Sequence, residues 1–103
     1  MAWASIQYRD FYDIPRAFVA EREGHQYLFD CRFDERIDDY PNSYRVYRLA
    51  PILPEALTSA SWEPLEADAT FLGDIPIDVV LFDPSKRKAV DDSVFQFIER
   101  LPK

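Results

Sequence analysis

The segment from Arg16 to Phe33 constrains the fold more than any other part of the chain. Two stretches, RAFVAER over 16–22 and QYLFDCRF over 26–33, flank Glu23-Gly24-His25. Gly24 tolerates the positive φ that a tight connection needs. Within the second stretch, Tyr27, Phe29, Cys31 and Phe33 share one parity, while Gln26, Leu28, Asp30 and Arg32 share the other. Successive side chains of a strand point to opposite faces, so this is the period of a strand with one apolar face. A β-hairpin over 16–33 follows. An isolated hairpin is marginal in water, so other segments have to widen it into a sheet.

Eight Pro and two Gly cut the remainder into short pieces, as in a β-rich fold. Residues 6–12 are aromatic but irregular. YRVYRL at 44–49 predicts a third strand with two apolar faces, because Tyr44 and Val46 oppose Tyr47 and Leu49. Such a strand is covered on both sides, or presents one side to a partner. A short strand is expected at 69–72, ended by Gly73, and a buried β-branched one at 77–82. Pro54 followed by Glu55 predicts a short helix over 54–60. Val94, Phe97, Ile98 and Leu101 fall at helical spacing, so a C-terminal helix near 91–101, opened by Asp91 or Asp92, lays an apolar stripe on the sheet.

The expected class is therefore α+β, mainly β. It is an antiparallel curled sheet or small barrel of four to five strands, with a two-layer sandwich as a near neighbour. With 103 residues the chain reads as a single domain spanning 1–103, since domains commonly run to roughly 100–150 residues.

Charge narrows the function classes. The chain carries a formal net charge of -7, which opposes phosphate backbones and anionic lipid. Nucleic acid and membrane are disfavoured as partners, and another protein is favoured. Residues 50–85 hold seven carboxylates and no basic residue, and Lys86-Arg87-Lys88 follows them. This stretch is either a solvated face or an acidic surface for a basic partner. Cys31 is the only cysteine, which fits a reducing compartment. The first twenty residues contain Arg9, Asp10, Asp13 and Arg16 and do not read as a leader. A cytoplasmic protein is expected.

The residues that carry chemistry are sparse. His25, the only histidine, falls in the hairpin turn, and one His with one Cys is short of a zinc site. Cys31 alternates with apolar neighbours and reads as a small core residue. Asp34, Asp38 and Asp39 form the densest carboxylate cluster; these are weak candidates for a divalent cation or for acid–base work. No Gly-rich phosphate loop is present. No cofactor is expected, and no catalytic residue is assigned.

The most unusual pattern is aromatic. All six Tyr lie between 8 and 47, and Tyr44-Arg45 and Tyr47-Arg48 place guanidinium groups beside phenols. Tyr, Trp and Arg are enriched where proteins grip one another. The candidate partner-binding residues are Tyr40, Tyr44, Arg45, Tyr47, Arg48 and Trp62. The expected function is a non-catalytic protein-interaction module. The alternatives are a carboxylate-based or metal-dependent hydrolase using the 34–39 loop, and a regulatory or inhibitory subunit offering acidic surface to a basic partner.

Overall fold

The computed structural model describes residues 3–11, 14–49, 69–83 and 89–101. They form one open sheet of six antiparallel strands. The strands are β1 (Trp3–Phe11), β2 (Pro15–Arg22), β3 (His25–Asp30), β4 (Ser43–Arg48), β5 (Thr70–Pro76) and β6 (Ala89–Asp91). Their spatial order is β5-β4-β3-β2-β1-β6. One short helix, α1 (Val94–Glu99), lies on the sheet. The α+β, mainly β architecture is as expected, but among the described residues the sheet does not close into a barrel.

The hairpin forms where the sequence places it, with Arg22 opposite His25 and Ala17 opposite Asp30. Its turn is tighter than three residues. Glu23 (φ 54°) and Gly24 (φ 80°) alone make the connection, both at positive φ. Two such residues follow the right-handed twist of the strands. Glu is a poor occupant of the first position, because its Cβ crowds the backbone there. Glu23→Asn is expected to raise the unfolding free energy by about 0.5–1 kcal/mol, read as a shift in the urea midpoint at unchanged m-value.

Parity on each strand decides which side chains meet. Phe18, Ala20, Phe29, Cys31, Tyr44, Val46 and Ile75 point to the helix side and form the main core with Val90, Val94 and Phe95. Phe18 and Phe29 stack with centroids 4.5 Å apart, and Tyr44 and Phe82 meet Phe18 edge-on at 5.4 Å. Ala17, Val19, Leu28 and Leu49 are buried on the opposite face, with Tyr47 and Ala69 against them. The two apolar parities of 44–49 thus reflect a sheet that buries residues on both faces.

Several segments differ from expectation. β1 is a full strand, although its pairing with β2 shifts register at Tyr8/Asp10 and again at Asp10/Phe11. Those irregularities break the period that would have marked it. β5 does not stop at Gly73. It passes through a bulge there, between Val46 and Tyr47 of β4, and continues to Pro76. The expected strand at 77–82 is instead a 3-10 turn over Ile77–Val79, and only Phe82 pairs, with Val90. Five of the six residues of 77–82 are apolar, so the run shows no period of two and fits a turn as well as a strand. The pairing of β3 ends at Asp30 rather than at 33. The C-terminal helix is shorter than 91–101, because Ala89–Asp91 pairs with β1 as an edge strand. Asp91 then accepts a hydrogen bond from the Ser93 backbone N–H (3.2 Å) ahead of the helix. The helix expected over 54–60 lies outside the described residues. No helix among the described residues is long and apolar enough to cross a membrane.

Candidate functional site

Of the candidate partner residues, Tyr44 is a correction. Its ring is 0% exposed, and its hydroxyl donates to the Pro15 carbonyl at 2.6 Å. It sits on the helix-facing parity of a central strand, so a partner has no access to it. Tyr40 is half-buried under Arg16, whose guanidinium carbon lies 4.2 Å from the ring centroid, and Phe33 meets it edge-on. Arg16 is itself buried and donates to the Cys31 thiol at 3.5 Å. That thiol donates to the Pro41 carbonyl at 3.1 Å. Tyr40 therefore serves to tie the 34–41 connection to β2. Trp62 lies outside the described residues.

Arg45, Tyr47 and Arg48 come together around a residue not singled out from the sequence, Phe71. Tyr47 and Phe71 are opposite in the β4–β5 register, with rings 5.5 Å apart. The Arg45 guanidinium carbon lies 4.9 Å from the centroid of Phe71 and 5.8 Å from that of Tyr47. Phe71 remains 48% exposed. The bulge at Gly73 sets its position, since an extra residue in one strand re-aims the side chains around it. Phe71 also lines a groove of about 480 Å³ between the β4–β5 edge and α1, together with Tyr27, Arg48, Leu72, Ile98 and Leu101. Arg48 and Glu99 stand at the rim of this groove, both exposed. Arg45 and Arg48 occupy opposite parities of β4, and the edge residue Phe71 touches the surroundings of both.

The carboxylate loop is built differently. The Asp34 N–H donates to the Asp39 carbonyl (2.9 Å), and Asp38 takes a positive φ of 53°, so 34–39 is a tight turn rather than a helical one. Asp34 and Asp38 therefore do not share a helical face. Asp34 accepts from the Arg36 side chain (3.2 Å) and from its backbone N–H (3.0 Å). The Arg36 side chain first, and its backbone N–H second, hold the Asp34 carboxyl below the usual carboxylate range. Asp30 is likewise bound by Arg32, through two bonds of 2.9 Å. Such exposed pairs contribute little to stability. Among the described residues no group of three or more His, Cys, Asp or Glu is arranged to hold a metal ion.

A depressed folded-state pKa means that the stabilisation is present above the unfolded value, about 3.9 for Asp, and fades as pH falls through the folded value. An NMR titration of the side-chain carboxyls is expected to place the Asp34 midpoint below the ordinary Asp value of about 3.9. Arg36→Ala is expected to move it back up. An unchanged midpoint in that variant would mean the Arg36 contact does not hold the charge.

Comparison with known proteins adds no further constraint: no family model, curated protein or solved structure matches the chain.

Proposed function

We propose that the chain is a non-catalytic protein-interaction module whose partner surface is the β4–β5 edge around Phe71, with Arg45, Tyr47 and Arg48. One observation carries this reading. A large aromatic ring, 48% exposed, is held between Tyr47 and Arg45 at the lip of a groove. Single exposed apolar side chains are ordinary on protein surfaces. A ring fixed by an aromatic and a guanidinium, beside a concave apolar wall, is the arrangement found at interface hot spots. The single buried cysteine supports a cytoplasmic setting for the module.

Leu81 supplies an internal control, because it is 49% exposed but lies beside β6, at the opposite end of the sheet from β5. Retention of partners from cell extract is expected to be lost with Phe71→Ala and kept with Leu81→Ala. If Phe71→Ala keeps every partner, or if both variants lose the same set, the surface has been misassigned.

A further inference from the structure

We infer that the occupant of this groove is a second copy of the chain, docked about a two-fold axis; the inference rests on the interaction surface proposed above and names its partner. The sheet treats its two edges differently. At β6 the chain covers its own edge: the Asp83 N–H donates to the Ala89 carbonyl (2.9 Å), and the Asp91 N–H donates to the Leu81 carbonyl (2.8 Å). At β5, among the described residues, only β4 pairs with the strand. A further strand added there is opposed by the bulge at Gly73 and by Pro76, which has no N–H to give. Side chains rather than backbone groups therefore decide what docks.

A two-fold contact requires a patch that is complementary to itself. This patch meets that condition in charge and in shape. Arg48 belongs to the sheet wall of the groove and Glu99 to the helix wall, and both are exposed. Among the described residues neither has an ion-pair partner. Their charges cancel, so the groove selects neither an acidic nor a basic segment. A two-fold axis between them sets Arg48 of each copy against Glu99 of the other, twice per contact. In shape, Phe71 stands 48% exposed at the lip of a groove walled by Tyr27, Leu72 and Ile98. Two grooves facing each other would enclose a void, but the same axis brings the Phe71 ring of each copy to the groove of the other. The charge of -7 on each copy opposes association, yet exposed charges are screened within about 8 Å at physiological ionic strength. The groups in contact therefore decide. One groove and two exposed ion pairs make a weak, reversible dimer.

Sedimentation equilibrium of the full chain at physiological ionic strength, up to about 1 mM, tests the inference with Arg48→Glu and Glu99→Arg. The parent is expected to show a monomer–dimer equilibrium, and Phe71→Ala to weaken it. Each charge reversal alone sets like charges across the axis, so its dimer is expected to be about tenfold weaker than the parent's. An equimolar mixture of the two reversals should recover the parent's affinity, because every pair across the axis again joins opposite charges. A folding defect in either variant would not be cured by mixing. A chain that stays monomeric at the highest concentration overturns the inference. So does a dimer that neither reversal weakens, or a mixture no tighter than its components. If the chain is monomeric while Phe71→Ala still abolishes partner retention from extract, the interaction surface stands and the second copy falls.

Discussion

Phe18→Ala is expected to lower the unfolding free energy by about 4 kcal/mol, the typical cost of emptying a fully buried aromatic site. Phe18 is 0% exposed at the centre of the sheet. It stacks on Phe29 on the neighbouring strand and meets Tyr44 and Phe82 edge-on. All three partners would lose contact with the same ring, and neighbours on paired strands cannot collapse into the space without breaking register. A domain of this size has only about 5–15 kcal/mol in total, so the variant would approach the unfolding threshold at 37 °C. Urea denaturation followed by tryptophan fluorescence checks it. Phe33→Ala, which removes an exposed ring, should stay within about 0.5 kcal/mol of the parent. A loss below 1 kcal/mol for Phe18→Ala would show that the aromatic stack is not the centre of the fold.

The second large effect is expected at Gly73. This residue has a φ of 143°, a region that side chains with a Cβ rarely enter. A Cβ there would also lie 3.1 Å from Cδ2 of Leu101. Backbone strain of this kind costs about 1–3 kcal/mol, and the Leu101 contact adds to it. Gly73→Ala should therefore destabilise the domain by about 2 kcal/mol. It should also weaken partner retention, because the bulge positions Phe71 and Leu101 forms part of the groove. Adding Leu101→Ala relieves the steric part and leaves the backbone part. If that second change restores nearly all the lost stability, the strain does not lie in the backbone at Gly73.

The two roles of aromatic residues explain which features were legible. The hairpin was readable because QYLFDCRF alternates with only Leu28 out of step and Gly24 marks the turn. The helix stripe Val94–Leu101 was readable for the same reason at a different period. β1 was not, and β5 was readable only as far as Gly73, because bulges at Tyr8–Phe11 and at Gly73 shift parity in mid-strand. Gly73 reads as a stop signal in a sequence, whereas in the fold it permits the strand to continue. β6 spans only Ala89–Asp91, too short to show a period. Tyr44 and Tyr47 look alike in sequence, each followed by Arg. Their parity on β4 sends one into the core and the other toward Phe71. Phe71 itself carried no sequence signal: its importance comes from the neighbours that strand pairing brings to it.

The account depends on the edge formed by Arg45–Arg48, Phe71 and the end of α1 being where another protein sits. Hydrogen exchange on the chain, free and bound to a protein that it retains from extract and that Phe71→Ala loses, tests this directly. Slowed exchange is expected at 45–48, 70–73 and 97–101, with no change at 34–39. Protection confined to the 34–39 turn or to the β1–β6 edge, with the Phe71 edge unaltered, would contradict it.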